Sequence, residues 1–186
     1  MSATIALRIL AAAAAVVMLP GCAELSFLHP AKGLEFELTG RIAVRYNHEG
    51  SSGNIAWRHR AKGDELLITS PLGQGVARIE RDGQVVSVTT SDRRVYRARD
   101  AESLTEQVLG FRVPLAGLAD WVRARPAPGP AHETRDARGR LREIQQNGWL
   151  IDYLAYGDEG TLPTRLRLTY PGLEIRLAIS EWQIRP

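Results

Sequence analysis

From Phe36 to Tyr46 the chain alternates without a break. Phe36, Leu38, Gly40, Ile42, Val44 and Tyr46 share one face, and Glu37, Thr39, Arg41, Ala43 and Arg45 share the other. A period of two over this length predicts a strand buried on one side. Asn47 to Gly53, polar and rich in Gly and Ser, reads as a hairpin loop. Ile55, Trp57 and His59 then alternate with Asn54, Ala56 and Arg58 in a second strand. Lys62-Gly63-Asp64 turns the chain into a third, Glu65 to Thr69. After the loop Ser70-Pro71-Leu72-Gly73-Gln74-Gly75, Val76 to Arg81 and Gln84 to Thr90 flank the hairpin signal Asp82-Gly83. Arg93 to Arg97 is a short sixth strand.

The period then changes. Asp100 is a good N-cap for a helix over Ala101 to Leu109, which Gly110 closes. A second helix starts at Pro114, well suited to a first helical position, and runs to about Ala124. Its apolar stripe is Leu115, Leu118, Trp121 and Val122. Pro126 ends it. Strands resume at Glu133 to Asp136 and Leu141 to Gln146. Asn147-Gly148 is the strongest hairpin signal in the chain. It leads into Trp149, Ile151 and Tyr153, which alternate with Leu150, Asp152 and Leu154. Pro163 to Tyr170 and Leu173 to Trp182 form a last hairpin about Pro171-Gly172. Ten or eleven short strands with tight turns predict a mainly β domain, a barrel or a strongly curled antiparallel sheet. Two amphipathic helices cannot bury their stripes alone, and the concave face or open mouth of that sheet is where they can do so.

The first residues change the picture. Arg8 precedes the apolar run Ile9 to Met18, too short to cross a bilayer, which needs about 20 apolar residues. Leu19-Pro20-Gly21-Cys22 closes it and contains the single cysteine of the 186 residues. Basic start, apolar middle and a small residue before the cut are the layout of a secretory signal. A Cys directly after Leu-Pro-Gly resembles a bacterial lipobox, in which the thiol is acylated and cleavage falls before the Cys. Pro20 departs from the usual small or hydroxylated residue there. The expected organisation is a signal peptide over 1–21, a lipid-anchored leader over 22–34 and one domain over 35–186. An ordinary signal peptide with an incidental Cys is the alternative, and it leaves that Cys without a disulfide partner.

A net charge of +3 is too small to point to nucleic acid. His29, His48, His59 and His132 show no metal-ligand spacing. The carboxylates Asp100, Asp120, Asp136 and Asp152 are scattered, with no paired arrangement for acid–base work. Gly73-Gln74-Gly75 lacks the Lys-Ser/Thr and the following helix of a phosphate loop. No metal, cofactor or catalytic residue is expected. Trp57, Trp121, Trp149 and Trp182 fall on elements that would line or cover the concave face. On residue type alone they are core side chains as readily as the walls of a pocket.

A set of short stretches in order carries a family resemblance. They are Cys22; Thr39-Gly40-Arg41-Ile42; Trp57; Leu67-Ile68-Thr69-Ser70-Pro71-Leu72-Gly73; Leu109-Gly110 with Val113-Pro114-Leu115; Asp120-Trp121-Val122; Gln146-Asn147-Gly148-Trp149; and Glu181-Trp182. With this spacing the chain resembles the LolB family of outer-membrane lipoprotein receptors. The leader after Cys22 is very short for that family. The resemblance implies an incomplete, half-open antiparallel β-barrel of about 11 strands, with a helical lid over a hydrophobic cavity. It implies a monomer that performs no catalysis. Such a protein accepts client lipoproteins from the soluble periplasmic carrier LolA and inserts them into the inner leaflet of the outer membrane. Its partners are then LolA, the clients' acyl chains and outer-membrane lipid.

On this match Cys22 is the lipid attachment site and Pro71, Leu72 and Gly73 form the membrane-insertion loop. Candidates to line the cavity are Ile42, Val44, Ile55, Trp57, Leu66, Ile68, Leu118, Trp121, Trp149 and Ile151. Ala23 is not the Asp that some bacteria use to retain lipoproteins in the inner membrane. Two other readings stay open: an anchored, lipocalin-like binder of a small apolar ligand, and a structural lipoprotein whose barrel is filled by side chains.

Overall fold

The alternating segments form strands at the expected places, because each can bury one face only by curling with its neighbours around a common interior. The computed structural model describes residues 34–158 and 160–184. The expected signal segment, Cys22 and nearly all of the leader lie outside the described residues. Among the described residues there are six strands, two helices and five more strands. They are β1 (Leu34–Tyr46), β2 (Glu49–Arg60), β3 (Gly63–Thr69), β4 (Gly75–Asp82), β5 (Val85–Thr90) and β6 (Val95–Ala98); α1 (Ala101–Leu109) and α2 (Leu115–Trp121); and β7 (His132–Arg135), β8 (Leu141–Gln146), β9 (Trp149–Tyr156), β10 (Pro163–Tyr170) and β11 (Leu173–Ile184).

All strands pair antiparallel in one sheet of order β6-β5-β4-β3-β2-β1-β11-β10-β9-β8-β7. The sheet is open: β6 and β7 are its edges, and residues 99–131, with both helices, connect them. Two meanders therefore meet in the middle, where β1 pairs with β11 from Phe36↔Ile184 to Tyr46↔Leu173. The register sorts the turns into two ends. One end, called the rim here, collects the turns after β1, β3, β5, β8 and β10; the other, the base, collects the remaining hairpins and both ends of the described chain.

Other strand ends shift by one or two residues, and three boundaries differ from expectation for a physical reason. The loop predicted over Asn47 to Gly53 shrinks to a two-residue turn, with Asn47 and His48 both at positive φ (46° and 73°). Glu49 onward continues as β2, because its polar residues face solvent while still pairing with β1. Helix α2 stops at Trp121, short of the expected Ala124, which adopts φ 55°. Pro114 flanks that helix as its N-cap and is not its first helical residue. Helix α1 matches its expected bounds. The Asp100 carboxylate accepts the N–H groups of Glu102 and Ser103, and Gly110 closes the helix at φ 83°.

The interior is one apolar cluster. Phe36, Leu38, Ile55, Trp57, Leu66, Ile79 and Val88 come from one meander, and Ile144, Ile151, Leu166, Leu168 and Ile175 from the other. Leu104 of α1 and Leu115, Leu118, Trp121 and Val122 of the α2 region close over them.

Two glycines in strands are steric requirements. A Cβ on Gly40 would sit 2.3 Å from the Ala178 carbonyl oxygen, at the bulge where β1 and β11 slip register. On Gly53 it would sit 2.1 Å from the Thr69 carbonyl oxygen. Gly40→Ala is expected to destabilise the domain by about 1–3 kcal/mol, the usual cost of forcing extra volume into a packed site. Chemical denaturation measures it, and an unchanged midpoint would mean the two central strands part without cost.

Candidate functional site

The loop between β3 and β4 displays the most exposed large apolar side chain among the described residues. Leu72 is 90% exposed. The loop is a hydrogen-bonded turn: Gly73 N–H donates to the Ser70 carbonyl at 2.9 Å, and Ser70 N–H donates to the Gln74 carbonyl at 2.7 Å. Pro71 holds its own φ, and Gly73 adopts φ 84°, which favours glycine. From β2 the Asn54 side-chain amide donates to the Ser70 carbonyl at 3.2 Å. Leu72 is thus held out on a braced turn.

Beneath the same rim, inward-facing apolar side chains are incompletely covered. Ile42, Val44, Tyr46, Ile68, Tyr96 and Phe111 are half-buried, whereas Phe36, Leu38, Trp57 and Trp121 are fully buried. The Tyr46 and Phe111 rings stand 5.4 Å apart, joining the rim of β1 to the turn between the helices. Of the cavity candidates, Ile55, Trp57, Leu66, Leu118, Trp121, Trp149 and Ile151 lie in the buried interior. Ile42 and Val44 pack against it from the rim, where Ile68 is also half-buried. Trp182 packs at the edge of the cluster and donates to the Pro163 carbonyl at 2.8 Å.

The helical cover is fixed by polar ties absent from the sequence reading. Gln146, 3% exposed, accepts from Trp121 Nε1–H at 2.8 Å and from Ala127 N–H at 2.9 Å, and donates to the Ala127 carbonyl at 2.8 Å. Tyr153 O–H donates to the Trp121 carbonyl at 2.8 Å. Burial drives the Tyr153 phenol well above its ordinary value, with smaller help from Tyr156 and Glu133, so this donor stays protonated. Arg123 reaches the base: it donates to the Ala119 carbonyl, to Asp120 and, at 3.1 Å, to Glu35 of β1. Its guanidinium lies 5.1 Å from the Phe36 ring centre.

A second buried polar group sits nearby. Asp64, 3% exposed, accepts from Trp57 Nε1–H at 3.0 Å and from Arg81 Nε at 2.6 Å, and its Oδ1 lies 2.6 Å from His59 Nδ1. Burial alone would raise its pKa. The hydrogen bonds from His59 and Trp57, with the charges of His59 and Arg81, outweigh that and hold it below the ordinary carboxylate value. A sequence signal did exist for His59 and Gln146, which stand at the inward parity of their strands, where a polar residue needs a partner.

An open sheet curled inward under a helical cover, with an apolar rim, defines a half-barrel class. A family described as "Outer membrane lipoprotein LolB" matches residues 34–182. An outer-membrane lipoprotein LolB of Thiobacillus denitrificans is 46% identical over 150 residues, covering 80% of this chain and 80% of that protein. One from Pseudomonas paraeruginosa is 33% identical over 199 residues, covering 96% of this chain and 97% of that one. A crystal structure of a DUF1329 family protein from Desulfovibrio piger aligns with a TM-score of 0.51 at 8% identity, over 83% of this chain and 87% of that one, and shares the fold alone. The chain belongs to the LolB family of outer-membrane lipoproteins, a family of lipoprotein-trafficking receptors and not of enzymes.

Two outcomes are expected. Gln146→Ala leaves the Trp121 and Ala127 groups buried and unpaired, and should cost about 2–4 kcal/mol in denaturant melts. Asp64 has a depressed native pKa, so its contribution is complete above the unfolded value near 4 and fades as pH falls through the lower native one. Asp64→Asn should therefore lower stability at neutral pH by about 3 kcal/mol and flatten the acid limb of a stability–pH curve. A variant with the parent's acid limb would remove Asp64 as its source.

Proposed function

We propose that the chain is a lipid-anchored receptor on the periplasmic face of the outer membrane. It accepts lipoproteins from the soluble carrier LolA and inserts them into the inner leaflet. The observation that carries this reading is Leu72, 90% exposed on a braced turn beside a rim of half-covered apolar side chains. Membership of the LolB family supports it.

The energetics fit. A lipidated client carries acyl chains whose every buried CH₂ is worth about 0.8 kcal/mol, so it cannot cross water unshielded. The inward-facing residues, Ile42, Val44 and Ile68 at the rim and Trp57, Leu66, Leu118, Trp121, Trp149 and Ile151 deeper, offer the chains an apolar lodging once the helical cover yields. Transfer without fuel runs down an affinity gradient, with about 1.4 kcal/mol for each tenfold bias. Leu72, held in water, forgoes roughly 1.5–3 kcal/mol of burial. A bilayer returns that energy and holds the rim against lipid. Acylation at Cys22 supplies the tether. The twelve residues of the leader from Cys22 to Gly33 span at most about 40 Å when extended, so the domain works close to its membrane.

Leu72→Glu is expected to keep the fold and client acceptance but slow insertion into purified bilayers by about tenfold or more, matching the lost apolar insertion energy. Normal insertion by that variant refutes the role. Cys22→Ala should yield a chain missing from the outer-membrane fraction. Its recovery there by fractionation would refute the anchor.

A further inference from the structure

The outer face of the central strands sets long arginine side chains among short ones. In one row across the sheet stand Asn54, Arg41, Ala178 and Arg165; in the next stand Ser52, Ala43, Arg176 and Arg167. With strands about 4.8 Å apart, Arg41 and Arg165 flank Ala178 at a backbone separation of roughly 10 Å. The small residues form a floor and the arginines form walls, leaving a groove of about 390 Å³. That is within the size range of small-molecule sites. Pro71, the neighbour of Leu72, closes the groove on one side and the exposed Leu154 on another.

The charges in and beside this groove are only partly answered. Arg176 pairs with Glu174 at 2.9 Å and Arg167 with Asp152 at 3.0 Å. Among the described residues no carboxylate lies within ion-pair distance of Arg41 or Arg165. Both are exposed. Two unneutralised guanidinium groups across an alanine floor suit one tetrahedral anion between them, since each presents a planar fork that matches phosphate oxygens. Leu154 and Pro71 add an apolar border beside that position.

We propose that this groove binds the phosphate headgroup of an anionic phospholipid in the membrane that Leu72 enters. The inference rests on the reading of Leu72 as a membrane finger. Insertion of the finger brings Pro71, and with it the groove wall, to headgroup level. The arginines then select anionic lipid and fix the tilt of the domain.

The test uses the purified lipid-anchored chain in phosphatidylcholine vesicles, with and without phosphatidylglycerol. Phenylglyoxal labelling of individual arginines is followed by mass spectrometry. Arg41 and Arg165 are expected to label about fivefold more slowly with phosphatidylglycerol, on the scale of one arginine at an anionic surface. Arg138, exposed in the base hairpin between β7 and β8, should be unaffected. Equal rates in both vesicles overturn the proposal, as does equal protection of Arg138. Equal protection by inorganic phosphate in phosphatidylcholine vesicles indicates a soluble-anion site and also overturns it. Protection by the carrier protein in those vesicles indicates a protein contact instead, and overturns it too.

Client insertion gives a second readout. R41Q/R165Q should lower insertion into phosphatidylglycerol vesicles to the rate seen in phosphatidylcholine alone and leave the latter rate unchanged. Loss in both compositions would overturn the proposal. Leu72→Glu should slow insertion in both, so failure of the finger and failure of the groove are told apart.

Discussion

A sheet with one apolar face, curled so that this face turns inward, must be covered, and here the cover is the chain's own link between the two sheet edges. Its attachment depends on Gln146. This side chain satisfies three backbone or indole groups in a dry interior, where each unpaired one would carry a full desolvation cost. Trp121 is the plug that Gln146 orients; it is fully buried and tilted against Trp149 at 5.9 Å. Remove that tie and α2 keeps a short apolar stripe, the Tyr153 bond to its last carbonyl and the Arg123 contact with Glu35.

The two ends of the half-barrel are built by opposite chemistry. The base is laced with charge and hydrogen bonds: Arg123 to Glu35 and Asp120, and Asp64 to Trp57, His59 and Arg81. Among the described residues no buried side-chain nitrogen or oxygen lacks a partner. On the rim, Gln146 at the end of β8 is laced to the cover, whereas the stretch beside β1 and β3 is apolar, with Ile42, Val44, Ile68 and Phe111 half covered. Directional bonds hold one geometry, whereas apolar contacts exchange partners with little penalty. The cover is therefore fixed by directional bonds at the base and at Gln146, and held by apolar contacts alone beside β1 and β3.

Most of this architecture was legible in the sequence, because strict alternation and Asn-Gly, Asp-Gly and Pro-Gly turns leave a chain few other choices. Helix α1 was readable to the residue from Asp100 and Gly110. The first hairpin was not: Glu49 to Gly53 looks like loop by composition, and it becomes strand because pairing with the long β1 outweighs weak local preference. His59 and Gln146 were visible only as anomalies at inward parity without naming their partners, and Asp64 was hidden in what reads as a turn but is the start of β3. Leu72 stood out between Pro71 and Gly73. Its brace, Asn54, lies sixteen residues from Ser70 and is joined to it only by the register of two strands.

The pairing of β1 with β11 joins the first described strand to the last. Each meander can form from neighbours, but the seam between them needs segments separated by nearly the whole domain, and closing such a long loop costs conformational entropy before any bond forms. A chain threaded through a membrane from its amino end holds β1 ready while β11 is still to arrive. Until the last residues emerge, β1 offers an unpaired edge able to zip onto any passing strand. The last described strand, β11, is thus the piece that covers that edge and completes the sheet.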